Sequence, residues 1–364
     1  KEAGHDISII ALWGLEGGML TWNGIPVYPK GLATWSNDIA AAHAVHAGSD
    51  ILISLFDAWP LVPEQLQQHG VRWIPWYPVD MDPIPPAVAR NVGKAYDRIV
   101  FSKFGQRMTE QAGMSCHYVP HGVDTKTFRP LDQADARKSI GWPNDKFIIG
   151  MVAANKGNPS RKALAEHLLA FKKLHEKHDD TLLYLHTSSG ANGEYGGINL
   201  PQLALELGLE RAVFYADQYN YHMGYPDPYM VAMYNSLDVH ALASMGEGFG
   251  IPIVEAQACG CPVIVGDWTA NSELCFSGWK VARKDASPYY TPIGSYQFVP
   301  GVDALAECME NAYRMNGNQD YRKRARDGAL AYDADKVLEK YWTPVLAKIA
   351  ENIEDKPRME LVKF

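Results

Sequence analysis

Short apolar runs alternate with amphipathic helical stretches along nearly the whole chain, the pattern of successive parallel β-α-β units. In the first half the apolar runs at 7–12, 25–28, 51–56, 72–77, 98–101 and 116–119 predict strands, with helices over 38–46 and 87–96. A polar stretch at 130–143, punctuated by Gly141-Trp142-Pro143, predicts an interdomain linker. Strands are predicted again at 147–152, 182–186, 213–215, 239–242 and 262–265, with a helix from about 161 to 177. Helical patterns at 302–313 and 335–353 close the chain, and the second should kink near Thr343, because Pro344 has no N–H to donate. The expected fold class is therefore α/β, two Rossmann-like doubly wound domains facing across a cleft, with ligands at the carboxyl ends of the strands. The expected domains are 1–130, 131–335 and a closing helix at 336–364.

Composition narrows the classes. The 364 residues suffice for two domains, and 47% hydrophobic with 21% charged residues describes a soluble globular protein. A net charge of -8 argues against nucleic acid as a partner, which normally needs a basic face. No apolar run reaches the roughly eighteen residues of a membrane span. Five cysteines (116, 259, 261, 275 and 308) form no Cys-x-x-Cys pair and are an odd set for a disulfide framework, so a reducing cytoplasm is expected. A basic cluster, Arg90, Lys94, Arg98, Lys103 and Arg107, reads as a solvated helix face or as peripheral contact with anionic lipid at the inner membrane surface.

The most informative stretch is 244–266, in which Glu247 and Glu255 bracket a glycine-rich turn running into a helix. Pro252 suits the first helical turn, and Gly260 the C-terminal cap. Gly248 and Gly250 lack a Cβ, so a ligand can approach the backbone, and N–H groups at a helix start favour an anion. The expectation is a phosphate cradle over Gly248, Phe249, Gly250 and Ile251, with one acid before it and one in the first helical turn. An ordinary loop–helix–strand connection is the plain alternative. Asn155-Lys156-Gly157 through Arg161-Lys162 joins another strand to a helix, and cations at a helix start, where the dipole disfavours them, read as a diphosphate clamp. A solvated first turn is the alternative.

The 244–266 string resembles the Glu-x7-Glu signature of retaining glycosyltransferases of the GT-B fold, family four, also called glycosyl transferases group 1. That resemblance implies transfer of a sugar from a nucleotide-diphosphate donor, such as a UDP- or GDP-sugar, to an acceptor hydroxyl on a glycan, lipid or metabolite. It implies that Glu255 binds the nucleotide ribose and that Glu247 lies against the donor sugar. It also implies that Lys162, with Arg161 as the second choice, neutralises the diphosphate without a metal or other cofactor. The family arginine usually stands where this chain has Asn155 and Lys156. Pro120-His121-Gly122-Val123-Asp124 is similar to the family's string before the interdomain linker, and the final helix is expected to return to the first domain. The Gly4-His5-Asp6 turn resembles the family's first βα closure, which implies that the first strand and its glycine loop precede this chain.

Four further positions enter as candidates. Asp57 follows a strand where relatives place a functional His, though capping of the next segment explains it equally well. Asp80 and Asp82 end another predicted strand; no third ligand suggests a metal there. Gln218 lies where relatives hold the nucleotide base. His121 reads as structural and His186 as core or site. Six tryptophans in the first domain read mostly as core. A sugar-nucleotide epimerase or phosphorylase on the same scaffold, or a non-catalytic nucleotide-sugar-binding protein, are the alternative functions.

Overall fold

The computed structural model describes residues 4–191 and 196–354. Contacts divide the chain into two compact units: Lys1–Val79 with Ile84–Val119 and Leu338–Phe364, and Asp80–Pro83 with Pro120–Val337. The division after Val119 falls earlier than the expected linker. Residues 133–140 are not a linker but a helix, Gln133–Ile140, started by the Asp132 side chain accepting from the Asp135 N–H (2.9 Å) and stopped by Gly141 at φ 74°. Its polar sequence misleads because one of its cations, Arg137, is buried against Asp238 at 2.7 Å. Residues 1–3, before the Gly4-His5-Asp6 turn, and the last ten residues of the expected closing helix lie outside the described residues.

The first unit holds two sheets. Strands β1 (Ile9–Ile10), β2 (Leu20–Trp22) and β3 (Ile25–Tyr28) pair in the order β1-β3-β2, with β2 antiparallel. Strands β4 (Leu52–Leu55), β5 (Trp73–Tyr77), β6 (Ile99–Val100) and β7 (His117–Tyr118) form a parallel sheet in chain order. The runs 7–12 and 25–28 thus lie outside the main sheet. They pair with each other in parallel, and a hairpin at Asn23-Gly24, both with positive φ, a turn that Asn-Gly adopts readily, joins β2 to β3. That dipeptide was a readable hairpin signal that the strand reading passed over. The tryptophans are also less internal than expected: Trp73 is buried, while Trp13, Trp22 and Trp59 are exposed.

The second unit is built on a six-stranded sheet of β8 (Phe147–Val152), β9 (Thr181–His186), β10 (Val213–Tyr215), β11 (Val239–Leu242), β12 (Val263–Gly266) and β13 (Gly278–Val281). Every pairing is parallel, and the order is β10-β9-β8-β11-β12-β13. This is the doubly wound order 3-2-1-4-5-6, whose switch point lies between the first and fourth strands, here β8 and β11. The β11 and β12 residues are all buried, as parallel strands covered on both faces require. Gly150 in β8 is obligatory, since a Cβ there would meet Leu237 Cδ1 at 2.3 Å. An antiparallel hairpin, β14 (Ala286–Tyr290) with β15 (Tyr296–Pro300), follows the sheet. The closing segment runs helically from Ala334, passes through a π-helical turn at Leu338–Trp342, and continues as Thr343–Glu354. The interruption therefore directly precedes the expected position, where Pro344 cannot donate to the ladder.

Candidate functional site

Open α/β sheets bind ligands outside the strand carboxyl ends at the switch point. Two loops leave that point here, one after β8 carrying Arg161 and Lys162, and one after β11 carrying Glu247.

The first loop does not run into its helix as expected. The helix begins at Leu164, and Ala163 precedes it in a left-handed conformation (φ 52°), so Arg161 and Lys162 stand in the turn before the helix rather than in its first turn. The turn is pinned from both sides. The Met245 N–H donates to the Arg161 carbonyl (2.8 Å). Buried His167 lies 2.7 Å through Nδ1 from the Ala163 carbonyl and accepts through Nε2 from the Ala243 N–H (3.2 Å). Burial holds His167 neutral, with its pKa down at about 4, so it serves as a fixed strut.

The second loop places a buried carboxylate between those cations. Lys162 Nζ pairs with Glu247 Oε1, and Arg161 Nη1 lies 3.3 Å from Oε2 while also donating to the Gly246 carbonyl. The Ser244 hydroxyl donates to Glu247 Oε1 at 2.7 Å. Burial alone would raise the Glu247 pKa; Lys162 and Arg161, with the Lys162 and Ser244 hydrogen bonds, outweigh it and hold the carboxyl at about 2. Thr269 Oγ1 accepts from the Glu247 N–H (3.1 Å), and the Ala270 N–H donates to the Glu247 carbonyl (3.2 Å). The same turn buries Asn271 with neither amide atom hydrogen-bonded among the described residues.

Asp80, weighed in the sequence only beside a possible metal, belongs to this cluster. Its Oδ2 lies 3.7 Å from Arg161 Nη1 and accepts from Gln297 Nε2 of β15 at 3.3 Å. A Cβ on Gly246 would come within 2.0 Å of the Asp80 carbonyl oxygen, so that glycine serves backbone approach within the protein. Burial raises the Asp80 pKa, Arg161 opposes that, and Glu247 adds to it. Among the described residues no group of three or more His, Cys, Asp or Glu is placed to hold a metal ion.

The helix Ile251–Ala258 begins as expected, with Pro252 in its first positions and Gly260 (φ 79°) just beyond its end. Glu255, however, is the fifth residue of that helix rather than a first-turn residue. One turn in, it accepts from the Tyr234 hydroxyl through Oε2 (2.8 Å), and burial raises its pKa. Gly250, at φ 114°, is required by the backbone; a Cβ there would meet Ile253 Cδ1 at 2.9 Å. Phe249 is buried against His121 (ring centroids 5.1 Å) and Tyr332 (5.9 Å), so its side chain packs rather than lines a ligand surface, while Ile251 is exposed.

Other sequence candidates have structural duties. The Asn155 amide is buried, donating to the carbonyls of Ser188, Gly190 and Ile198 and accepting from the Ile198 N–H, which corrects its reading as a donor contact. Gln218 likewise spends its amide on Thr187, Ala216 and Ser189. Lys156 is exposed. Asp57 is exposed after β4 in the first unit. His186 meets the Tyr184 hydroxyl through Nδ1 (2.9 Å) and is held near pKa 4 by burial.

The second unit is thus a Rossmann-type doubly wound domain with two paired cations and a glycine-led helix start at its switch point, where open α/β sheets bind ligands. Residues 132–275 match the family of glycosyl transferases group 1. The chain is 28% identical over 197 residues to D-inositol 3-phosphate glycosyltransferase 2 of Catenulispora acidiphila, a match covering 52% of this chain and 44% of that protein. It is 32% identical over 182 residues to D-inositol 3-phosphate glycosyltransferase 1 of the same organism, covering 48% and 41%. The chain thus spans less than half the length of these two relatives. Among solved structures, sucrose-phosphate synthase of Thermosynechococcus elongatus superposes with TM-score 0.75 at 16% identity, over 97% of this chain and 91% of that one. The Anabaena protein HepE in complex with UDP-glucose gives 0.64 at 18%, over 91% and 87%. These likenesses show the fold: two Rossmann-like units of the GT-B kind.

Proposed function

We propose that this chain is a glycosyltransferase that moves a sugar from a nucleoside diphosphate sugar to an acceptor hydroxyl with retention of anomeric configuration. The observation that carries the reading is the pair Lys162 and Arg161 brought to Glu247 at the switch point of the second unit. The family match over 132–275, and a structural relative that holds UDP-glucose, support it.

In this reading the diphosphate lies over the helix start at Gly250 and Ile251, and Lys162 and Arg161 take the charge that builds on it as it leaves. Glu255 keeps Oε1 for the ribose hydroxyls while Tyr234 fixes Oε2. Glu247, released from the cations, turns to the sugar hydroxyls. The bond from the anomeric carbon to the diphosphate oxygen breaks with its electron pair going to the phosphate. The acceptor oxygen bonds on the same face, and its proton passes to that phosphate oxygen. The two side-chain cations supply the charge neutralisation that a metal supplies in other transferases.

The test is transfer followed by NMR with UDP-, GDP- and ADP-sugars, with and without EDTA. The reading predicts sugar-dependent release of nucleoside diphosphate that survives EDTA, a product with the donor's anomeric configuration, and loss of at least about a hundredfold in kcat/KM for Glu247→Gln. Release of an epimerised nucleotide sugar, or dependence on inorganic phosphate, would contradict it.

A further inference from the structure

Two cations and two carboxylates make the cluster of Arg161, Lys162, Glu247 and Asp80 neutral while no ligand is bound. A nucleoside diphosphate sugar carries two negative charges on its bridging diphosphate. Binding it beside this cluster makes a half-buried site net anionic unless one carboxylate gives up its charge, and an uncompensated charge in low dielectric costs more than a proton from water.

Resting on the transferase reading, we propose that Asp80 is a positioning residue of the donor site that takes up one proton from solvent as the diphosphate binds, releasing Arg161 to the phosphate. The geometry selects Asp80 over Glu247. Glu247 is held ionised by two cations and a hydroxyl, whereas among the described residues Asp80 has one cation within 4 Å, Arg161, at the long distance of 3.7 Å. Gln297, whose Nε2 donates to Oδ2, is neutral and holds the carboxyl in either protonation state. The charged groups acting on Asp80 are Arg161 and Lys162, which favour its anion, and Glu247, which disfavours it. Its pKa already stands above the ordinary carboxylate value through burial; drawing Arg161 away and bringing two negative charges closer pushes it higher. The sign follows. Uptake is greatest at pH values between the free and the bound pKa, so donor affinity falls as pH rises through that range, by up to about tenfold per pH unit where a whole proton is taken up.

The experiment is calorimetric titration with UDP-glucose, GDP-mannose and ADP-glucose, whose diphosphate diesters do not titrate between pH 6 and 8. Each is run in two buffers of different ionisation enthalpy at pH 6, 7 and 8. The expected result is net proton uptake that grows as pH falls and is absent in Asp80→Asn, which at pH 8 binds the donor more tightly than the wild type. Gln297→Ala should keep the uptake. A purely structural Asp80 would lose affinity on substitution with no proton signal. Donor binding without uptake in the wild type, or uptake that persists in folded Asp80→Asn, overturns the proposal and leaves the transferase reading standing. Failure of all three sugars to bind overturns both.

Discussion

At the scale of single residues the cluster behaves as a balanced set of charges. Glu247→Gln leaves Lys162 and Arg161 without their buried partner and should cost about 1–3 kcal/mol in denaturant unfolding. Because the Glu247 pKa is depressed to about 2 from 4.5, its contribution is fully present above pH 4.5 and is lost as pH falls towards 2. The stability of Glu247→Gln should therefore fall less steeply between those values than that of the wild type. Tyr234→Phe removes a donor to Glu255 Oε2 and should cost about 1–2 kcal/mol. It should also move the Glu255 pKa further up, measurable by carboxylate NMR. The Glu247–Glu255 spacing and the Arg161-Lys162 pair could be read as candidates because each stands in a short linear string. Asp80 was not, because its partners Arg161 and Gln297 lie far along the chain. Asn155 misled because a polar residue at a strand end looks the same in sequence whether it meets a ligand or, as here, three carbonyls.

Elements position these groups through backbone that few side chains tolerate. At Gly250 an alanine would sit at φ 114° against Ile253, and Gly250→Ala should destabilise by about 1–2 kcal/mol while weakening any anion at the helix start. Gly246→Ala should be worse, since its methyl would overlap the Asp80 carbonyl and push the loop after β11 away from the Asp80 segment. Thermal unfolding of the two variants orders them directly. The buried strands β8 and β11 were read to within a residue because continuous apolar runs bounded by polar turns leave little choice. The helix Gln133–Ile140 was missed because only one of its faces is apolar and a buried arginine interrupts that face. The hairpin β14–β15, which brings Gln297 to Asp80, carries prolines and glycines that read as loop.

Over the whole molecule the two units differ in how firmly they are built. The second unit carries a six-stranded sheet with fully buried central strands; the first divides its strands between two smaller sheets, one with an exposed strand, Leu20–Trp22. Hydrogen exchange should therefore protect the amides of β8, β11 and β12 most, and exchange β2 orders of magnitude faster. No described helix is long and apolar enough to cross a membrane. The doubly wound α/β class was legible from the β-α alternation; the strand order was not. The division of the first unit was not, because a two-residue strand such as Ile9–Ile10 leaves almost no periodic signal.

On the proposed function, the switch point of the second unit binds the diphosphate of a nucleotide sugar through Lys162. The most direct test is the dissociation constant of UDP-, GDP- and ADP-sugars for the wild type and for Lys162→Ala, in the presence of EDTA. The account predicts that one nucleotide class binds the wild type selectively and binds Lys162→Ala at least about tenfold more weakly, the equivalent of one lost charge-assisted hydrogen bond. Equal affinity for the two proteins would contradict it.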